Sequence, residues 1–317
     1  MTPRLLLPLL FLALANTASG QAVALLSDIN GRYGSADYSP RVSRAIDEIV
    51  RSGVDVVVAA GDVVAGQQPR LDGPALDAMW AAFQETVAGP LDAAGIPIAI
   101  SAGNHDASGF PAFAPERAKF EAWWSERLPG TELLPGSEWP WRYAARNGGL
   151  LLVSFYGTMP GRLPDSERQF VEDMLSAHAP NAESILVFSH LPLWPFTRGR
   201  EHEILDDRAL LDILHRHGVD VYASGHHHAF FAGTDNAGLL HLSVGALGGN
   251  VRPLVGSSVK QAHSYALLQF KGGGFCLSAP RAPDFVDLIE ADSLPAMIEG
   301  PLGRLQRVDA AHLDCSR

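Results

Sequence analysis

Five apolar runs in this chain end, one after another, at a side chain that can hold a metal ion. Val23–Ser27 ends at Asp28, Val54–Ala60 leads into Gly61-Asp62, and Ile96–Ser101 leads into Gly103-Asn104-His105-Asp106. Ile185–Ser189 ends at His190, and Val219–Ser224 leads into Gly225-His226-His227-His228. Short continuous apolar runs bounded by turn residues read as buried strands. Helical patterns separate the first three. Ser39 is placed as an N-cap with Pro40 at the first helical position, Val42, Ala45, Ile46, Ile49 and Val50 follow at helical spacing, and Gly53 stops the pattern. Leu76, Met79, Trp80, Phe83 and Val87 repeat the signal. A β-α-β-α-β order implies parallel strands joined by right-handed crossovers. Sites in such sheets form beyond the carboxyl ends of the strands, so the five terminal donors are expected to meet in one pocket.

Further along, Asn147-Gly148 marks a hairpin between Tyr143–Arg146 and Leu150–Phe155. Helices are expected around Phe170–Leu175 and Leu210–Leu214, and Phe230–Gly233, Leu239–Val244, Tyr265–Phe270 and Phe275–Ser278 read as short antiparallel strands. With no linker and no repeat, residues 21–317 read as one α/β domain, with a C-terminal extension of no defined element from about residue 283. An insertion at about 107–141 breaks the rhythm and holds Trp123, Trp124, Trp139 and Trp141. It is either a lid over the site or a surface subdomain whose tryptophans form a small core of their own.

Residues 1–20 read as a signal peptide, with Arg4 before the apolar Leu5–Ala15 and small residues Ala18-Ser19-Gly20 ahead of Gln21. The apolar run is shorter than the ~20 residues that span a bilayer, so no transmembrane anchor is expected and the protein should be secreted or periplasmic. In that setting Cys276 and Cys315 can form a disulfide, two unpaired thiols being the alternative. The 35 acidic residues outnumber 24 basic ones, and no Lys/Arg-rich run occurs, which argues against a nucleic-acid polymer as partner. Attraction for an anion must then be local, and bound cations are a natural source.

The terminal donors are oxygens and imidazoles, the types that suit Mn²⁺, Fe²⁺, Mg²⁺ or Zn²⁺, and they are too many for one ion. Taken in order, Asp28-Ile29-Asn30, Gly61-Asp62, Gly103-Asn104-His105-Asp106, Ser189-His190 and Gly225-His226-His227-His228 resemble the calcineurin-like metallophosphoesterase superfamily. The resemblance implies a four-layer α/β/β/α sandwich with mixed sheets, a centre of two divalent metal ions, and hydrolysis of a small phosphate ester. It implies that Asp28, Asp62 and His228 hold one ion, and that Asp62 bridges to a second held by Asn104, His190 and His226. It also implies that His105 is catalytic beside the leaving-group oxygen, with Asp106 orienting its ring.

Asn30 stands where many members have His. Its amide oxygen can still serve as a ligand, and it makes that site oxygen-rich, which favours Mn²⁺ or Mg²⁺ over Zn²⁺. Ala65 stands where the purple acid phosphatase branch has Tyr, so the chain is not placed in that branch. Arg32 and Arg252 are candidates to contact the substrate phosphate. A rival expectation, fed by Asn30, is a metal- or partner-binding protein of the same fold with lost turnover.

Overall fold

The computed structural model describes residues 20–127, 130–271 and 274–308. The expected signal peptide (all but its last residue) and Cys315 lie outside the described residues, whereas Cys276 lies within them.

The strands are β1 (Gln21–Leu26), β2 (Val56–Ala59), β3 (Ile98–Ile100), β4 (Glu132–Leu133), β5 (Tyr143–Asn147), β6 (Leu150–Ser154) and β7 (Ser184–Phe188). They continue with β8 (Val221–Ser224), β9 (Phe231–Thr234), β10 (Leu240–Ser243), β11 (Ala266–Lys271), β12 (Gly274–Ser278), β13 (Met297–Gly300) and β14 (Gly303–Arg307). The helices are α1 (Pro40–Ser52), α2 (Gly73–Phe83), α3 (Gly89–Ala93), α4 (Asn104–Ala107), α5 (Ala114–Ser125), α6 (Asp165–His178) and α7 (Arg208–Arg216). A π-helical turn at Gln84–Ala88 joins α2 to α3. Pro90 follows it, and a proline lacks the N–H that a regular α-helix would need there.

Two sheets result. One runs β12-β11-β1-β2-β3, and the other runs β13-β14-β9-β10-β8-β7-β6-β5-β4. The crossovers β1-β2 and β2-β3 are parallel, as the alternation of strand and helix requires. The pleat of β1 and β2 then divides the core. Val23, Leu25, Val56 and Val58 pack with residues of the second sheet, whereas Ala24, Leu26, Val57 and Ala59 pack with Ile46, Ile49, Phe83 and Leu91 of the helices. Phe170, Val171, Leu210 and Leu214 of α6 and α7 cover the second sheet. The outcome is a mixed α/β sandwich of helices, sheet, sheet and helices.

Three features differ from the expectations. The five donor-bearing strands are divided between two sheets, β1, β2 and β3 in one and β7 and β8 in the other. Of the four strands read as antiparallel, β10 is also parallel to β8, and β11 returns to the first sheet beside β1. The stretch after residue 283 contains the hairpin β13-β14, which extends the second sheet through β9. Only Ile298 and Leu305 of its two strands are buried, so their apolar periodicity is too sparse to mark them as strand.

The insertion's tryptophans are packing elements. Trp123 stacks on Trp80 with ring centroids 5.1 Å apart, Trp124 is fully buried, and the Trp139 indole N–H donates to the Trp124 carbonyl at 2.8 Å. None of the four lines the pocket described below, so the lid reading does not hold.

Candidate metal centre and active site

The carboxyl ends of β1, β2 and β8 leave the sheets through left-handed backbone. Asp28, Asp62, His226 and His228 have φ of 51°, 56°, 65° and 55°. That region costs an L-residue about 1 kcal/mol or more, and such outliers concentrate at functional sites. Close backbone approach holds the turns in place. A Cβ on Gly103 would lie 2.1 Å from the Asp62 amide nitrogen, and one on Gly225 would lie 1.7 Å from Ser27 Oγ. The glycines that open these motifs are therefore required by space. Across the seam between the sheets, Asp28 Oδ2 accepts from the His226 N–H at 2.9 Å, and it also accepts from the adjacent Ser27 Oγ at 2.7 Å.

Asp28 Oδ1 is buried and has no hydrogen-bond partner. It lies 3.0 Å from His228 Nε2, while His228 Nδ1 is committed to the Asn250 carbonyl at 2.9 Å. A second cluster repeats the arrangement. His190 Nδ1 donates to the Ala60 carbonyl at 2.8 Å, leaving Nε2 at 2.9 Å from Asn104 Oδ1, 3.2 Å from His226 Nδ1 and 3.3 Å from Asp62 Oδ2. Asp62, His190 and His226 each turn one ligand atom inward, and these atoms lie within 4.8 Å of one another. Lone pairs set face to face in a buried space repel unless positive charge lies among them. The same field favours positive charge among these donors. Burial alone would push the His190 imidazole down, but the Asp62 and Asp28 carboxylates hold it up at about 9. Burial would push the Asp28 carboxyl up, yet His228 and His190 keep it well below the usual range. The donors therefore fit divalent cations.

Asp106 sits differently from what the resemblance implies. Asp106 does not orient the His105 ring. Its carboxylate accepts from the amides of Asp62, Val63, Val64 and Gly103 at 2.7 to 2.9 Å, and so ties the turn after β2 to the turn after β3. The His105 ring is oriented by the Gly66 carbonyl, 3.1 Å from Nδ1, which leaves Nε2 3.8 Å from Asp62 Oδ2. His227 points away, with Nδ1 accepting from the Phe196 amide and Nε2 directed at the Glu203 carbonyl.

Above the clusters opens a cavity of about 400 Å³ lined by Asn30, Arg32, Asp62, Asn104, His105, His226, His228 and Arg252, with Arg200 and Tyr33. Residues 22–230, about two thirds of the chain, match the family described as calcineurin-like phosphoesterase. The chain belongs to the calcineurin-like phosphoesterases. It is thus a metal-dependent phosphoester hydrolase by family. No curated protein matches it in sequence. Solved structures share its fold at low identity. A dimetal phosphatase from Danio rerio is 18% identical with a TM-score of 0.60, over 86% of this chain and 98% of that one. A purple acid phosphatase from yellow lupin (Lupinus luteus) seeds is 16% identical with a TM-score of 0.61, over 83% of this chain and 52% of that one. The anchor in the inner membrane complex of Plasmodium is 12% identical with a TM-score of 0.52, over 93% and 91%.

The site of this phosphoesterase includes residues that no motif flags. Glu203 Oε2 accepts from His226 Nε2 at 2.8 Å, which turns Nδ1 toward the second cluster. That bond, first among its partners, holds the Glu203 carboxyl at about 2, and Arg200 pairs with the same oxygen. Carboxylates behind metal-binding imidazoles fix their tautomer and raise their basicity. Glu203→Ala is therefore expected to weaken divalent-metal binding by roughly 10–100-fold. Competition titration against a chelating dye reads this, and an unchanged affinity would reduce Glu203 to an anchor for Arg200. Arg252 donates to the His226 carbonyl at 3.0 Å, half-buried beside the cavity. Among the described residues, no helix is long and apolar enough to cross a membrane.

Proposed function

We propose that this protein is an exported phosphoesterase that hydrolyses small organic phosphate mono- or diesters at a centre of two divalent metal ions. What carries the reading is the inward-facing cluster of Asp62, His190 and His226, with the buried, unpartnered Asp28 Oδ1 facing His228, at a cavity lined by arginines. Asp28, Asn30, Asp62 and His228 would hold one ion, and Asp62, Asn104, His190 and His226 the other. When bound, divalent ions supply Lewis-acid polarisation of the phosphoryl group and lower the pKa of the attacking water. The chain's own groups do the rest. Arg32, Arg200 and Arg252 line the cavity and are suited to grip the non-bridging phosphate oxygens. His105 has its Nδ1–H fixed by the Gly66 carbonyl, so the protonated ring carries its transferable proton on Nε2 for the departing ester oxygen and is left as the neutral Nδ1–H tautomer. Tyr33 is 60% exposed with its ring centroid 4.8 Å from that of His105, an apolar face beside the leaving group. This supports esters with a ring or other apolar arm, a role that Trp123 and Trp124 do not fill. The oxygen-rich first cluster favours Mn²⁺ or Mg²⁺ there. Export rests on Arg4, the apolar Leu5–Ala15 and the small residues before Gln21.

A panel of phosphomonoesters, phosphodiesters and nucleotides, each assayed with Mn²⁺, Mg²⁺, Zn²⁺ and Fe²⁺, tests the reading. Turnover of a small ester that is lost on chelation and restored by Mn²⁺ is the expected result. Tight binding of metal without turnover of any ester would favour instead a binding protein of this fold. N-terminal sequencing of protein recovered outside the cytoplasm should begin near Gln21, and an intact Met1 there would remove the export half.

A further inference from the structure

The turn after β2 carries two contacts to the proposed machinery. The Gly66 carbonyl accepts from His105 Nδ1 at 3.1 Å, and Gln67 Oε1 accepts from Asn104 Nδ2 at 2.9 Å. The first contact fixes which ring nitrogen of His105 faces the cavity. The second turns Asn104 Oδ1 toward His190. Gln67 itself has a φ of 61°, a left-handed conformation that the turn would not hold unaided. What holds it is a carboxylate from the insertion. Glu116, in the first turn of α5, is buried, and its two oxygens accept from the Gln67 amide at 2.8 Å and the Gln68 amide at 3.1 Å. A Cβ on Gly66 would lie 2.3 Å from the His105 carbonyl and 3.0 Å from Glu116 Oε2, so turn, helix and histidine backbone are in close contact.

We infer that Glu116 is a positioning residue for leaving-group protonation, acting through the 66–68 turn to fix the tautomer of His105 and the rotamer of Asn104. The insertion thus serves the site from beneath through one carboxylate. The inference rests on the proposed function for the role of His105, and not for the geometry. Its chemistry is specific. A leaving group that departs as a stable anion needs little help from an acid, whereas a basic one needs a proton in the transition state. A residue that merely supports the fold should impair both kinds of ester alike.

The test compares wild type, Glu116→Ala and Glu116→Gln on phenyl phosphate and on 2,4-dinitrophenyl phosphate. Glu116→Ala should lower kcat at least ten times more for the phenyl ester than for the dinitrophenyl ester. Glu116→Gln, which keeps one acceptor oxygen, should fall between. In a His105→Ala background the substitution should add no further leaving-group dependence. A second readout needs no turnover. In protein loaded with Mg²⁺, nitrogen-15 correlation spectra of the neutral His105 ring should show the proton on Nδ1 in wild type and a mixture of tautomers in Glu116→Ala. Equal losses on both esters with an unchanged His105 tautomer would overturn the inference. A wild type that cleaves neither these monoesters nor any other ester of the panel would overturn the proposed function, and the spectra would still decide the positioning role. If Glu116→Ala loses its native circular dichroism, the same comparisons are read from Glu116→Gln.

Discussion

Asp62→Asn is expected to abolish turnover and to strip most of the bound metal while leaving the fold intact. Asp62 Oδ1 accepts from the His105 amide at 2.8 Å, and an Asn side-chain oxygen can keep that bond. Its φ of 56° is a conformation that Asn adopts as readily as Asp. What the substitution removes is the negative charge at Oδ2, which faces His190 Nε2 at 3.3 Å within the cluster of Asp62, His190 and His226. Asp62 is the one carboxylate in its cluster with His190 and His226 among the described residues. Loss of a group merely behind a ligand costs roughly 10–100-fold in affinity, so loss of the ligand proposed to be shared should exceed about 10²-fold. Elemental analysis of the purified variant, together with kcat and circular dichroism, checks this. Near-normal turnover would remove Asp62 from the centre of the proposed mechanism.

His105→Ala should lower kcat by roughly 10²–10⁴-fold, the usual worth of a positioned acid, with little change in bound metal. The separation of the two effects is the point. His105 Nε2 is 3.8 Å from Asp62 Oδ2, and its Nδ1 is engaged with Gly66, so the ring stands beside the donors without joining either cluster. The loss should be smallest for dinitrophenyl phosphate, whose leaving group needs no proton. A variant that lost metal in parallel with activity would show that His105 belongs to the ligand set instead.

Much of this fold was legible because apolar runs and their terminal donors are local signals. The ends of β1, β2, β3, β7 and β8 could each be read from a few consecutive residues. Their division between two sheets could not, since every strand concerned is buried on both faces and reads as a continuous apolar run whichever sheet it joins. The hairpin β13-β14 escaped notice because each of its edge strands buries a single side chain, Ile298 and Leu305. Within the site, the residues that hold other residues were the invisible ones. Glu203, Gln67 and Glu116 act across 23, 37 and 49 positions of sequence, through contacts that no spacing announces. The role expected of Asp106 failed for a related reason. Adjacency to His105 suggested a side-chain contact, but in α4 neighbouring residues diverge, and the carboxylate is used by four amides on the opposite side. His227 does turn away from its neighbours, although left-handed backbone on either side of it, and not an extended pleat, is what reverses the direction.

The seam between the sheets has a consequence for how the protein matures. Asp28, Asp62 and Asn104 come from the first sheet, and His190, His226 and His228 from the second. A half-folded chain with one sheet formed offers either oxygens or imidazoles, and neither set alone completes the cluster of Asp62, His190 and His226. Affinity for the cation is created only when the two layers dock, so docking and metal capture are linked steps of a single equilibrium. Cation concentration in the surrounding fluid would then act as a thermodynamic weight on the last stage of folding.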